Sequence, residues 1–364
     1  MGSFTDVIPE ELSGSQGFAT AQVWLGAGPF ESRIVPLPVV KDGDVLVAIS
    51  LATVCGSDRH TVAGRREAPA PGILGHEAVG EIVAIGAGGA AGIDGTPLAI
   101  GDRVVWSVVR SCGTCDRCGS GRMAKCRAAS KVGHEKLAGP WALSGCYASH
   151  IHLPAGSRIA TLPRSMPDKV AAPAGCATAT VMAAGEAAGP MSGRRVLVIG
   201  AGMLGITAAA LAADQQAAEI IVSDPDPRRL RLAERFGATS TVPADHGTLP
   251  DSVDIALDFS GSSAALEGLV DRLDTGGRLV LIGSVAPGPN IRIDPERIVR
   301  RWLTVTGVHN YEPKHLVAAV DLLARTERLP WADLVSSVRP LDEINRILFA
   351  EPGEVSQPRM AVRP

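Results

Sequence analysis

Short alternating apolar runs fill the first part of the chain. DVLVAISLATV (44–54) and AVGEIVAIGAG (78–88) are rich in Val and Ile and lie among Gly, Pro and Asp. That pattern predicts strands of an irregular β-rich unit. Around Arg164 the texture changes, and the Ala-rich stretch MPDKVAAPAGCATATVMAAGEAAG (166–189) reads as helix. Strand and helix signals then alternate. RVLVIG (195–200) reads as a strand, MLGITAAALAADQQ (203–216) as a helix, and EIIVSD (219–224) as a strand. PRRLRLAERFG (227–237) follows as a helix closed by Gly, with DIALDFSG (254–261) and GRLVLIGS (277–284) as buried strands. Such alternation predicts a parallel, doubly wound sheet, and hence an α/β fold. HLVAAVDLLART (315–326) reads as a further helix, with SSVRPL and MAVRP as closing strands.

The longest apolar run, Val196 to Ala213, is nearly long enough to span a bilayer. Three glycines interrupt it with the spacing of a phosphate loop, so it reads as a strand, a turn and a helix. Gly200, Gly202 and Gly205 form G-x-G-x-x-G, with Met203 and Leu204 between the last two. In such a loop the first glycine permits the tight turn, the second admits the pyrophosphate, and the third allows close helix–sheet packing. Asp224 ends the next strand, where a carboxylate accepts hydrogen bonds from the adenosine ribose and disfavours a 2′-phosphate. NAD is therefore expected over NADP, although Arg228 and Arg229 follow closely enough to offset part of that repulsion.

The length of 364 residues suggests two domains at roughly 100–200 residues each. With 46% hydrophobic residues the chain can fill packed cores, and a net charge of -3 argues against nucleic acid as its main partner. The segment MGSFTDVIPEELSGSQ carries acidic residues where a signal peptide needs basic ones, and has no apolar run. The cysteines are thus expected to be metal ligands in a reducing, cytoplasmic setting.

Six of the seven cysteines fall into two sets. Cys112, Cys115, Cys118 and Cys126 form C-x2-C-x2-C-x7-C in a Gly-rich stretch, the pattern of a structural zinc lobe, with an iron–sulfur cluster as the remote alternative. Cys55 at a strand end, His76 between glycine turns and Cys176 ahead of the Ala-rich helix suit a catalytic zinc, with Glu77 as a neighbouring or alternate ligand. Cys146, the odd cysteine, reads as a small apolar residue near that site.

The motifs CGSDRH, GHEAVGEIVAIG, GDRV, the four-cysteine lobe, GCATAT, VIGAGMLG and GGRLVLIG occur in this order. In this the chain resembles the zinc-containing medium-chain dehydrogenase/reductase (alcohol dehydrogenase) superfamily over nearly its whole length. PAGCATATVMAA, WALSG and VTGVHNYEPKHL are similar to the subgroup described as phosphonate-catabolism-associated alcohol dehydrogenases. The resemblance implies a GroES-like catalytic domain from residues 1–163, with a metal lobe at 110–128, completed by a C-terminal return at 310–364. A Rossmann NAD-binding domain at 164–309 lies between them. It assigns zinc to Cys55, His76 and Cys176, substrate-oxygen contact to Ser57, the far end of a proton relay to His60, and a place near the nicotinamide to Thr180. Arg359 matches a basic residue on the cofactor pyrophosphate. Position 56 departs from the pattern, being Gly where some relatives carry a basic residue.

The implied reaction is reversible hydride transfer between a small alcohol and NAD, in a homo-oligomer carrying two zinc ions per subunit. Arg59, Arg65, Arg66 and Arg110, with His309 and Asn310, are candidates for an anion pocket suited to a hydroxyalkylphosphonate or similar anion. A polyol, sugar or amino-alcohol dehydrogenase is the enzymatic alternative. A non-enzymatic NAD-binding regulator is the remote one, disfavoured because the three ligands of the second metal set are all present.

Overall fold

The computed structural model describes residues 17–350 and 357–364. The acidic N-terminal segment MGSFTDVIPEELSGSQ lies outside the described residues. Two β systems are joined by a helical layer. In the first, seven strands form a mixed sheet around the long strand Val45–Val54, which pairs antiparallel with Glu77–Ile85, His150–Leu153 and Arg359–Arg363. A three-stranded sheet of Glu31–Pro36, Phe18–Trp24 and Gly72–Ile73 packs beside it. Their shared core is aliphatic with a few large aromatics, including Trp106 and Tyr147, both almost fully buried.

The second system is a six-stranded sheet whose neighbours are all parallel. Its spatial order is Ser240–Pro243, Glu219–Asp224, Arg195–Ile199, Val253–Asp258, Leu273–Leu281, Thr304–Gly307. Numbered along the chain this is 3-2-1-4-5-6, the doubly wound order that places a nucleotide at the carboxyl ends of the central strands. The apolar run at 196–213 becomes the strand Arg195–Ile199 and the helix Met203–Asp214, both largely buried. No helix among the described residues is long and apolar enough to cross a membrane.

The elements expected from the pattern form with small shifts, apart from the Ala-rich stretch, and strands form that the pattern did not single out, among them both edges of the parallel sheet, Ser240–Pro243 and Thr304–Gly307. The Ala-rich stretch is not one helix but the helix Asp168–Ala171, a 3-10 turn Ala172–Gly175 and the helix Ala177–Ala188. Pro173 lacks the N–H an α-helix needs there, and a Cβ on Gly175 would stand 2.6 Å from the Trp106 carbonyl. The edge strand Thr304–Gly307 has no strong alternation and was not expected; its four positions are exposed or half-buried.

The chain crosses back to the first system near its end. Val335–Pro340 and Arg359–Arg363 pair in parallel, and Met360, Ala361 and Val362 oppose Val54, Thr53 and Ala52. Arg359 is thereby set one residue beyond the register position of Val54, next to Cys55. Residues 304 positions apart in sequence meet at the metal site through this pairing.

Candidate active site and metal centres

Cys55 follows the strand Val45–Val54 and caps the short helix Gly56–Val62. Cys176 caps the helix Ala177–Ala188, and His76 and Glu77 open the strand Glu77–Ile85. One ligand atom from each of Cys55, His76, Glu77 and Cys176 lies within 4.8 Å of the others. Three chain segments thus converge on a point that a single ion would fill.

The surroundings fix these side chains. Asp58, buried, accepts from Cys55 N (2.9 Å) and from the Tyr147 hydroxyl (2.9 Å), and its other oxygen lies 3.4 Å from His76 Nδ1. This orients His76 so that Nε2 faces the cluster, 3.3 Å from Ser57 Oγ. A carboxylate behind a ligating imidazole is the usual way a metal-site tautomer is set. Sequence reasoning missed Asp58; its position three residues after Cys55, on the first turn of a capped helix, was the available signal.

Glu77 is fully buried, and Arg359 meets it through two bonds, Nε to Oε2 at 2.7 Å and Nη2 to Oε1 at 2.9 Å. Thr53 Oγ1 donates to Oε2 as well (2.7 Å), and Arg359 Nη2 reaches Cys55 Sγ at 3.4 Å. This corrects the expectation that Arg359 serves the cofactor pyrophosphate. Its side chain is enclosed, because a buried carboxylate without a counter-charge is strongly destabilising. Burial pushes the Glu77 carboxyl up, and the Arg359 charge opposes it. The Cys176 thiol, hydrogen-bonded to Cys55, holds Cys55 well below the usual thiol range, with the Arg359 charge adding to the effect. The Cys176 thiol is raised in turn, by its bond to Cys55 and by burial. Burial opposes charging of His76, but Asp58 and Cys55 raise it. Two thiols, an imidazole with its partner in place and a carboxylate form a donor set that fits zinc.

The second set converges equally well. Sγ–Sγ separations are 3.4 Å for Cys112–Cys126, 3.5 Å for Cys115–Cys118, and 3.9 Å for Cys112–Cys118 and Cys115–Cys126. Tetrahedral thiolates at the usual zinc–sulfur length stand about 3.8 Å apart, so these four fit the ion closely. Cys146 is fully buried in the catalytic core, and burial pushes its thiol up.

The glycine turn joins the strand Arg195–Ile199 to the helix Met203–Asp214. Gly200 has φ of +94°, and a Cβ on Gly205 would lie 1.7 Å from the Gly200 carbonyl, whereas one on Gly202 would meet nothing within 4 Å. Met203 is buried and Leu204 half-buried behind the turn. Asp224 is buried, and both its oxygens are engaged by the protein: Oδ2 accepts from Ala201 N (2.7 Å) and Oδ1 from Asp226 N (2.8 Å). Where the sequence suggested a free ribose acceptor, the structure finds a carboxylate bracing the turn. Arg229 lies 3.8 Å from it, and Asp226, not foreseen, pairs with Arg228.

Ser57 and His60 share the helix Gly56–Val62 without a mutual hydrogen bond among the described residues, and His60 Nδ1 is buried without a partner. Burial and the nearby Arg65 lower the His60 pKa. Thr180 is buried one turn into the helix that starts at Cys176, its N–H bonded to the Cys176 carbonyl. Of the anion-pocket candidates, Arg59 donates to the Ile347 carbonyl and Arg110 to that of Ala155. Arg65 is exposed, and Asn310 has φ of 60°. Tyr311, unnoticed in the sequence, donates to the Gly175 carbonyl and so fixes the turn before Cys176.

Comparison with known proteins follows these features. Residues 41–164 match the model of the alcohol dehydrogenase GroES-like domain and residues 204–325 that of the zinc-binding dehydrogenase family. The chain is 31% identical to 5-exo-hydroxycamphor dehydrogenase of Pseudomonas putida, over 91% of its own length and 95% of that protein. This chain belongs to the zinc-dependent medium-chain dehydrogenase/reductase (alcohol dehydrogenase) superfamily. It is a zinc-dependent, alcohol dehydrogenase-type oxidoreductase. It is also 30% identical to L-threonine 3-dehydrogenase of Aeromonas salmonicida, over 76% of this chain and 80% of that one. Among solved structures, an alcohol dehydrogenase from Thermotoga maritima superposes with a TM-score of 0.88 at 28% identity, covering 95% of this chain and 99% of that one. A zinc-binding dehydrogenase from Sinorhizobium meliloti, solved with NADP, gives 0.83 at 25% identity, covering 96% and 100%. The two units of this chain are thus a GroES-like domain and a Rossmann-type parallel sheet.

Proposed function

We propose that the protein catalyses reversible hydride transfer between a small hydroxyalkyl anion, such as a hydroxyalkylphosphonate, and NAD, using one catalytic and one structural zinc per subunit. Of the described residues, we assign 17–163, 310–350 and 357–364 to the catalytic unit and 164–309 to the cofactor unit. The observation that carries this reading is the convergence of Cys55, His76, Glu77 and Cys176, with Ser57 Oγ beside His76 Nε2. Bound there, zinc supplies Lewis acidity, which acidifies an alcohol hydroxyl and polarises a carbonyl in the reverse direction.

The remaining work falls to the chain. Ser57 Oγ, beside His76 Nε2, is placed to take the hydroxyl proton as it passes its own on, and His60, on the same helix, would release that proton to solvent. Histidine suits that place as a proton carrier, and burial with the nearby Arg65 favours its neutral, proton-accepting form. A bound nicotinamide would accept the hydride from the carbinol carbon, and Thr180, one turn beyond Cys176, would help to hold it. Asp58 holds the His76 ring, and Arg359 and Thr53 hold Glu77 in place. Gly202 leaves room for the pyrophosphate on the N-terminus of the helix Met203–Asp214. The Asp224 charge favours NAD over a cofactor with a 2′-phosphate.

Support for an anionic substrate comes from PAGCATATVMAA, WALSG and VTGVHNYEPKHL, which are similar to phosphonate-associated relatives. We assign the protein to the cytoplasm, where its free cysteines stay reduced. We also assign it a homo-oligomeric state, supported by the open edge of Thr304–Gly307 and the adjacent Trp302, 82% exposed. The test is initial-rate NADH formation by zinc-loaded protein on 2-hydroxyethylphosphonate beside a neutral alcohol of similar size. Strong preference for the phosphonate is expected. Preference for the neutral alcohol transfers the substrate to the polyol and amino-alcohol class, and inertness toward both removes the reading.

A further inference from the structure

We infer that Arg66, Lys125, Lys131 and His309 form one anion-binding subsite beside the catalytic metal centre, which receives the charged end of the substrate. The inference rests on the preceding reading of that centre and names the residues that select among small alcohols. Only Arg66 and His309 belonged to the candidates drawn from the sequence; the two lysines are new.

Four chain segments supply the group, and the fold brings each to the same place. Lys131 ends the strand Ser130–Lys131 and starts the turn that lays His134 against His76, ring centroids 5.8 Å apart. The turn is seated directly on the ligand segment: a Cβ on Gly133 would lie 2.4 Å from the Gly75 carbonyl. Within it, His134 N donates to the Lys131 carbonyl (3.1 Å). Lys125 comes from the four-cysteine lobe, at the end of the 3-10 turn Met123–Lys125. Glu312 docks that turn by accepting from Met123 N (2.8 Å) and Ala124 N (3.2 Å). This brings Lys125 Nζ to 2.8 Å from His309 Nδ1. An ammonium can only donate, so His309 accepts at Nδ1 and keeps its proton on Nε2, free to donate. Arg66 follows the helix that Cys55 caps and is half-buried.

These cations feel one another, and the Glu312 carboxylate offsets part of that repulsion at Lys125. Burial lowers the Lys131 pKa, and the charges of Arg66 and Lys125 lower it further. Burial and then Lys125, Lys131 and Arg66 act in the same sense on His309. Among the described residues, none of Arg66, Lys125 and Lys131 has a carboxylate within ion-pair distance, although many other arginines of this chain do, such as Arg103 with Asp168 and Arg127 with Asp116. The neighbouring acids are engaged elsewhere. Glu312 attracts Lys125, but its oxygens accept the two lobe amides. Glu135 Oε1 accepts from Lys131 N, and Asp58 is enclosed by Cys55, Tyr147 and His76. A set of mutually repelling donors, Arg66 and Lys131 half-buried and Lys125 and His309 exposed, stands one step from a metal ligand and is built to be neutralised by a bound oxyanion. A guanidinium, two ammonium groups and an imidazole N–H suit a tetrahedral phosphonate best, and a carboxylate would use fewer of them.

The test uses zinc-loaded enzyme with NADH. Methylphosphonate and acetate are titrated by calorimetry into the wild type, Lys131→Met, Lys125→Met, Lys131→Arg and, as a control outside the cluster, Arg33→Met, an exposed residue paired with Glu31. Methylphosphonate is expected to bind the wild type and Arg33→Met alike and more tightly than acetate. At least tenfold weaker binding is expected in each Lys→Met variant, with recovery in Lys131→Arg. In parallel, the ratio of kcat/KM for 2-hydroxyethylphosphonate to that for a neutral alcohol falls at least tenfold in Lys131→Met and Lys125→Met. No methylphosphonate binding by wild type, or equal binding by all variants, overturns the inference even if neutral alcohols are oxidised. Lysine-dependent binding without turnover of any alcohol keeps the subsite and removes the catalytic reading instead.

Discussion

Gly200, Gly202 and Gly205 answer three different demands, and substitution separates them. At Gly205 an added methyl would stand 1.7 Å from a carbonyl of the same turn, so Gly205→Ala must displace backbone. At Gly202 nothing of the protein lies within 4 Å of the added Cβ, and φ is -75°, a conformation any residue adopts. Gly202→Val is therefore expected to keep the melting temperature within about a degree while weakening NADH binding more than tenfold, because only the ligand fills that space. Gly205→Ala is expected to lose several degrees as well. NADH fluorescence titration beside thermal melts reads both, and equal losses of stability in the two variants would contradict the assignment. The glycine roles were legible because backbone geometry is written in residue type. The partners of Asp224 and Arg359 were not, since each depends on which distant group a particular register brings up.

At the scale of elements, the apolar runs identified long buried strands such as Val45–Val54 and Arg195–Ile199 but not shorter ones such as His150–Leu153, and gave no signal where burial is incomplete, as at Thr304–Gly307. The Ala-rich stretch illustrates the opposite limit. Helix propensity is local, but the break at Gly175 follows from contact with Trp106, on a strand some seventy residues earlier. Another long-range tie is Asp44, at the start of the longest strand. Its carboxylate accepts from Lys41 N and Ala155 N, and meets His152 Nε2 at 2.9 Å. Burial opposes ionisation, but these bonds outweigh it and hold Asp44 below its ordinary pKa. A carboxyl depressed on folding adds stability above its unfolded pKa of about 3.9, and that stability is lost as pH falls through the folded value. Asp44→Asn should thus lower the urea midpoint at pH 6, and the gap to wild type should close below about pH 4. A gap unchanged down to pH 3 would mean that Asp44 acts through shape alone.

Across the whole molecule, the four-cysteine lobe is bound to the far end of the chain by one carboxylate. Its pattern of thiols was plain in the sequence, since ligand spacing is local, but its docking was not, because Glu312 lies nearly 190 residues away. Glu312 also caps the helix Pro313–Arg325 in a reciprocal arrangement with His315. Replacing it by alanine leaves two part-buried amides and a helix end without their acceptor. An unmet buried donor costs about 1–3 kcal/mol, and a lost cap about 1 kcal/mol. Glu312→Ala should therefore lower the melting temperature by several degrees and speed release of the lobe's zinc to a chelator, followed with a colorimetric indicator. Glu312→Gln retains one acceptor oxygen and should fall between Ala and wild type in both respects. Because Lys125 is carried on the docked turn, the same undocking should weaken methylphosphonate binding in proportion. If zinc release accelerates but anion binding holds, the lobe is a separate structural module; if both move together, it is part of the substrate site.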